Sequence, residues 1–109
     1  MSNFVKVASV AEIPRLGSRV VRKGDMKIAL FRTEDDRVFA VEDKCPHKGG
    51  PLSQGIVHAC RVTCPLHNMV IDLSSGAAIA PDNGNVRTFP IKVEDGQIWL
   101  DIDALATAA

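Results

Sequence analysis

The sequence predicts an all-β protein built of small antiparallel sheets. Residues 19–41 hold three short strand-like runs, Arg19-Val20-Val21-Arg22, Lys27-Ile28-Ala29-Leu30-Phe31 and Val38-Phe39-Ala40-Val41, joined by tight turns. Ile56 to Thr63 reads as a hairpin, and Val86 to Val93 with Gln97-Ile98-Trp99-Leu100 reads as a second one around Glu94-Asp95-Gly96. At 109 residues the chain supports one core but not two, so residues 1–109 are taken as a single domain.

In chain order, Phe4-Val5-Lys6-Val7 alternates like a first strand with Phe4 or Val5 facing the core. Ser9, followed by Val10-Ala11-Glu12, has the capping-box pattern for one helical turn that Pro14 stops. Lys23-Gly24-Asp25 and Thr33-Glu34-Asp35-Asp36 are turn signals, and the meander they join is expected to support the Cys- and His-bearing loops beyond it. The acidic triplet Glu34-Asp35-Asp36 reads most simply as a solvated loop tip. Met69-Val70-Ile71-Asp72-Leu73 returns to strand, Ser74-Ser75-Gly76 turns it, and Pro81-Asp82-Asn83-Gly84-Asn85 makes a longer turn. Trp99 reads as core packing rather than an electron relay, and Ala104 to Ala109 are expected to fray.

The chemistry is concentrated between Cys45 and His67. Cys45-Pro46-His47 lies sixteen residues before Cys64-Pro65-Leu66-His67, with the first hairpin between them. Two loops then offer one thiolate and one imidazole each to a shared point. Two irons bridged by sulfides take Cys45 and Cys64 on one iron and His47 and His67 on the other, the ligand set of a Rieske [2Fe–2S] centre. A tetrahedral zinc is the competing reading of the same four side chains, although zinc sites usually pair Cys with Cys and His with His along the chain. Gly49-Gly50 allows backbone N–H groups to turn toward sulfide, and Pro46, Pro51 and Pro65 stiffen the loops.

CPHKGGPLSQG at 45–55 and VTCPLHNMVIDLSSG at 62–76 resemble the ligand loops of Rieske ferredoxin-type domains. The resemblance implies the Rieske-type (ISP domain) fold, a cluster-binding subdomain of about residues 43–72, and one Rieske-type [2Fe–2S] cluster on Cys45, His47, Cys64 and His67. It also implies a third, proline-containing loop over the cluster, for which Pro81 is the candidate. Leu66 and Asn68 replace the Trp and Gly of general Rieske ferredoxins, and in this the chain most resembles the small subunit of assimilatory NAD(P)H-dependent nitrite reductase. On that likeness it is expected to carry electrons beside a large subunit with flavin, siroheme and a further iron–sulfur cluster that reduces nitrite to ammonia. The alternative is a stand-alone Rieske ferredoxin donating electrons to a ring-hydroxylating oxygenase.

High-potential Rieske proteins resemble one another in a loop disulfide and in Ser and Tyr hydroxyls donating to the cluster. Here Gly49 and Leu66 occupy the disulfide positions, Met69 stands in place of that Ser, and the chain has no Tyr. Fewer donors imply a potential toward the lower end of a range of roughly −150 to +300 mV.

Zero formal net charge argues against a nucleic-acid partner and against strong electrostatic steering. No apolar run approaches about eighteen residues and the amino terminus does not resemble a signal peptide, so neither a membrane partner nor export is expected and the default location is cytoplasmic. Cys60 is left over as a small buried hydrophobe, and His58 as a solvated hairpin residue. No acid/base pair, nucleophile or phosphate loop appears, so the isolated chain is expected to move electrons and transform nothing.

Overall fold

The computed structural model describes residues 4–23, 26–44, 51–64, 69–79 and 84–101. Among them ten strands make three antiparallel sheets. The strands are β1 (Phe4–Ser9), β2 (Ser18–Lys23), β3 (Met26–Arg32), β4 (Val38–Glu42), β5 (Ile56–His58), β6 (Arg61–Thr63), β7 (Val70–Asp72), β8 (Thr88–Phe89), β9 (Ile91–Glu94) and β10 (Gln97–Asp101). The terminal sheet has the order β1-β10-β9, the central sheet β2-β3-β4-β8, and the third sheet β5-β6-β7. No helix among the described residues is long and apolar enough to cross a membrane.

The central sheet is the meander expected from residues 19–41, with β8 added along β4 through Ala40↔Phe89 and Val41↔Thr88. Successive side chains of a strand point to opposite faces, and β3 buries Ile28, Ala29, Leu30 and Phe31 in a row. Both of its faces are therefore covered. Ile28 and Leu30 join Ala8, Ile13, Val38, Ala40, Phe89, Ile98 and Leu100 in a core toward the terminal sheet. Ala29 and Phe31 join Leu52, Val57, Val62, Cys64, Met69, Ile71 and Leu73 in a core toward the third sheet. The continuous apolar run Ile-Ala-Leu-Phe is the sequence trace of this position between two layers.

The single turn after β1 forms as its capping pattern predicts: Val10–Glu12 is a 3-10 turn, and the Glu12 carboxylate accepts from the Ser9 N–H at 3.3 Å and from its hydroxyl at 3.2 Å. The alternation expected in β1 shifts, because the register breaks between Lys6 and Ala8. A bulge turns Ala8 inward and leaves Val5 40% exposed. Phe4 is half-buried, with the Lys92 ammonium 4.9 Å from its ring centroid.

Residues 86–93 do not form one strand. Pro90 has no N–H to give a ladder, and the chain leaves the central sheet after β8 to enter the terminal sheet as β9. The closing hairpin is as expected: Asp95 and Gly96 have φ of 52° and 74°, the pair of positive values that a type I′ turn demands. Trp99 is half-buried on the face of β10 opposite Ile98 and Leu100, paired with Lys6 and Lys92, and so lies outside the core expected for it. The turn at Gly24 and Asp25, the tail from 102 onward, and Pro81 lie outside the described residues.

The acidic triplet is more than a loop tip. Asp36, at φ 66°, accepts from Arg15 at 2.9 and 3.1 Å and from Arg32 at 2.8 and 3.0 Å. Arg32 also donates to the carbonyls of Ile13 at 2.8 Å and Val10 at 3.2 Å, so the turn after β3 is tied to the 3-10 turn. The bonds from Arg15, then Arg32, pull the Asp36 carboxyl down to about 2. A carboxyl lowered in the folded state stabilises the fold above its unfolded pKa and loses that contribution as pH falls through the folded value. Melting temperature should therefore fall between about pH 4 and pH 2, and Asp36→Asn should flatten that part of the curve. Because the pairs are exposed, about 0.15 M salt should shrink the difference.

Candidate metal centre

The third sheet and the turn before it carry the two loops that hold the cysteine and histidine motifs. Between β6 and β7 the ladder runs Arg61↔Asp72, Val62↔Ile71 and Thr63↔Val70, and the Cys64 N–H extends it by donating to the Met69 carbonyl at 2.8 Å. Cys64 and Met69 are thus joined by a backbone hydrogen bond where the second ligand segment begins and ends. Cys64 is fully buried at that base, between Val62 and Met69 in the same core cluster.

The first loop leaves the central sheet after β4 and returns at Pro51. On the outgoing side the Asp43 N–H donates to the Lys27 carbonyl at 2.9 Å. On the return side Leu52–Gln54 forms a 3-10 turn that drives Leu52, fully buried, into the core containing Cys64 and Met69. Gly55 then presses against β6: a Cβ there would lie 2.3 Å from the Thr63 carbonyl oxygen and 2.9 Å from Val62 Cγ2. The φ of Gly55 is −78°, so glycine is needed for the close approach and not for an unusual backbone. Leu52, Cys64 and Met69 therefore gather the bases of both loops in one apolar cluster.

Of the four expected ligands, Cys64 is described; Cys45, His47 and His67 lie outside the described residues, as do Gly49, Gly50, Pro46, Pro65 and Leu66. His58 is exposed on β5, with Nε2 2.8 Å from the Thr63 hydroxyl. Val57 between Ile56 and His58 faces the core, which places His58 on the outer face of the third sheet. Cys60 is half-buried in the hairpin turn, not fully buried as expected, because a two-residue turn led by Ala59 at φ 52° holds it at the end of the sheet. Asp72 is occupied by Ser74, whose N–H and hydroxyl donate to it at 2.8 and 2.6 Å and hold its carboxyl below the usual range.

No sequence pattern marks Asp43 or Ser53, and Gly55 stands out only as part of a motif. The Asp43 carboxylate accepts from the Ser53 N–H at 2.7 Å and from the Ser53 hydroxyl at 2.9 Å. The Ser53 carbonyl in turn accepts from the Ser18 hydroxyl of β2 at 2.6 Å. Only the ten-residue separation of a carboxylate and a serine on either side of the CPH motif could have signalled this, and that spacing has no general meaning.

Two thiols and two imidazoles on two short loops, anchored at their bases in one apolar cluster, make a donor set suited to a mixed Cys/His iron–sulfur centre. Residues 3–101 match the Rieske-like [2Fe-2S] domain. The chain belongs to that family. Its cofactor is accordingly a Rieske-type [2Fe–2S] cluster rather than zinc, and the all-β fold of small antiparallel sheets is the Rieske type. The anthranilate 1,2-dioxygenase ferredoxin subunit of Burkholderia cepacia is 41% identical over 80 residues, spanning 72% of this chain and 73% of that one. The 3-phenylpropionate/cinnamic acid dioxygenase ferredoxin subunit of Photorhabdus laumondii is 36% identical over 98 residues, spanning 88% and 91%. The ferredoxin of carbazole 1,9a-dioxygenase from Nocardioides aromaticivorans superposes with a TM-score of 0.81 at 25% identity, covering 92% of this chain and 98% of that one.

These relatives correct the assignment to the nitrite reductase small subunits, and with it the expected large partner subunit bearing flavin, siroheme and an iron–sulfur cluster. The fold does not separate the two groups, since a solved chain provisionally assigned as an NADPH nitrite reductase small subunit also superposes with a TM-score of 0.81, at 26% identity. The identity shared with dioxygenase ferredoxins does. Leu66 and Asn68 misled because residues in ligand loops answer first to the cluster those loops hold. They report the cofactor well and the partner poorly. The chain is a Rieske electron-transfer protein that works as part of a larger redox system.

Proposed function

We propose that this protein is the ferredoxin component of a ring-hydroxylating oxygenase system, taking electrons singly from a reductase and delivering them to the oxygenase. The observation that supports this most strongly is the 36–41% identity to dioxygenase ferredoxin subunits, which in one relative extends over 88% of the chain and is not confined to the ligand loops. In this reading Cys45 and Cys64 hold one iron, and His47 and His67 hold the other. Residues 1–109 act as one Rieske domain with a cluster-binding subdomain of about residues 43–72, in a reducing cytoplasm.

The bound cluster supplies a one-electron couple whose neutral imidazole ligands make reduction easier than an all-thiolate set does. The chain's own part is to fix the ligands and keep their surroundings apolar. Leu52, Val62, Met69 and Ile71 share the buried core with Cys64 and surround it with side chains that neither donate nor accept protons. Among the described residues no carboxylate joins that core. Ile56, 71% exposed, follows directly on Gly55 at the return of the first loop and gives a partner an apolar foothold beside it.

The test is reconstitution. With a ring-hydroxylating oxygenase, its NAD(P)H-dependent reductase and an aromatic substrate, adding this protein should raise product formation from near background to catalytic rates. Boiled protein or the Cys64→Ser variant should not. Stimulation of NAD(P)H-dependent nitrite reduction with no effect on any oxygenase would contradict the proposal.

A further inference from the structure

We propose that Asp43 and Ser53 form a positioning clamp across the mouth of the first ligand loop, and that the clamp governs how firmly this loop retains the cluster. The inference rests on the assignment of Cys45 and His47 as ligands, since both lie in the segment that the clamp spans.

The two loops are closed in different ways. The second is closed by a β ladder, ending in the Cys64 N–H to Met69 carbonyl bond of 2.8 Å. The first has no such closure: among the described residues, 43–44 and 51–55 share no backbone hydrogen bond, because β4 ends at Glu42 and the return is a 3-10 turn. Side chain takes the place of ladder. Both Asp43 carboxylate oxygens are used, one by the Ser53 N–H at 2.7 Å and one by the Ser53 hydroxyl at 2.9 Å. Hydrogen bonds to an ionised acceptor are about twice as strong as neutral ones, and here two act together in a part-buried site.

Each half of the clamp is itself fixed. The Asp43 N–H is held by the Lys27 carbonyl at 2.9 Å, and the Ser53 carbonyl by the Ser18 hydroxyl at 2.6 Å. Leu52 beside Ser53 is locked in the core, and Gly55 is pressed against Thr63. Asp43 and Ser53 are thus two anchored points on either side of residues 45–50, and their pairing sets the distance between them. Releasing that pair widens the mouth of the loop, and the ligands within it lose their common geometry first. Groups that orient metal ligands in this indirect way typically change metal retention by about 10–100-fold when removed.

The experiment uses purified, cluster-loaded protein. Bleaching of the visible absorbance in excess chelator is followed well below the melting temperature, beside the EPR spectrum of the reduced protein and the melting temperature itself. Asp43→Ala should bleach at least about tenfold faster than wild type and broaden the EPR lines. Asp43→Asn, which keeps an acceptor for the Ser53 N–H, should recover much of the difference. Ile98→Val in the opposite core supplies a variant destabilised at a distance; it should bleach at the wild-type rate. Should Asp43→Ala accumulate without cluster, Ser53→Ala, which loses one of the two bonds, decides the matter in the same assay by bleaching faster. Wild-type bleaching in the deciding variant, or equal acceleration in Ile98→Val, overturns the clamp. Failure of the wild-type protein to show a Rieske spectrum overturns the ligand assignment instead.

Discussion

Replacing His47 or His67 with alanine is expected to abolish the Rieske EPR signal and to reduce iron from about two per chain to a trace. The chain has three histidines in all. His58, the remaining histidine, lies on the outer face of the third sheet and is engaged with the Thr63 hydroxyl at 2.8 Å. His58→Ala should therefore leave iron and signal unchanged. Cys64→Ser is the sharpest of these variants because Cys64 is fully buried in an apolar cluster. Serine has nearly the size of cysteine and lacks the thiolate, so the variant should fold and yet lose the cluster. Iron analysis and EPR of the purified variants check each outcome; a normal signal in His67→Ala would remove that residue from the ligand set.

Gly55→Val should lower the stability of the fold sharply. A Cβ at this position meets the Thr63 carbonyl oxygen at 2.3 Å, Val62 Cγ2 at 2.9 Å and the Leu52 carbonyl oxygen at 3.1 Å. Two of the three are backbone atoms held by the β5–β6 pairing and by the 3-10 turn, so they cannot swing aside as a side chain would. Overpacking of this kind costs about 1–3 kcal/mol, and rigid neighbours put the expected value at the upper end. For a domain of this size each kcal/mol lowers the melting temperature by about 4–8 °C. Gly96→Ala is the informative comparison. Nothing lies within 4 Å of its Cβ position, and its cost arises from a φ of 74° at a hairpin far from the ligand loops in sequence. Both variants should melt earlier, but only Gly55→Val should also lose iron, because its strain falls on the joint between the two loops.

The elements that could be read from the sequence are those whose cause is local. The Asp95-Gly96 turn, the Ser9–Glu12 box and the β2–β3–β4 meander each depend on a few neighbouring residues, and each forms as read. The break at Pro90 was legible in principle, since proline cannot continue a ladder, but the apolar residues on both sides of it resembled one strand. The inward turn of Ala8 and the outward face of Trp99 depend on a bulge and on which sheet packs behind β10, neither of which leaves a local mark. The site divides in the same way. A Cys-x-His and Cys-x-x-His pair announces its chemistry because a metal needs those atoms at that spacing. Asp43 and Ser53, by contrast, are ordinary residues until the fold brings them within 2.7 Å. The partner was least legible of all, since two loop residues were made to carry an identity that is distributed over the chain.

The most direct measurement is a single turnover. The protein, reduced chemically and freed of reductant, is mixed anaerobically in a stopped-flow cell with an oxidised ring-hydroxylating oxygenase. Reoxidation of the protein should be complete within one oxygenase turnover time, and its rate should rise and then saturate with oxygenase concentration. If the reduced protein keeps its spectrum through many turnover times with the oxygenase, yet is reoxidised at once by a siroheme nitrite reductase, its role as an oxygenase ferredoxin is contradicted.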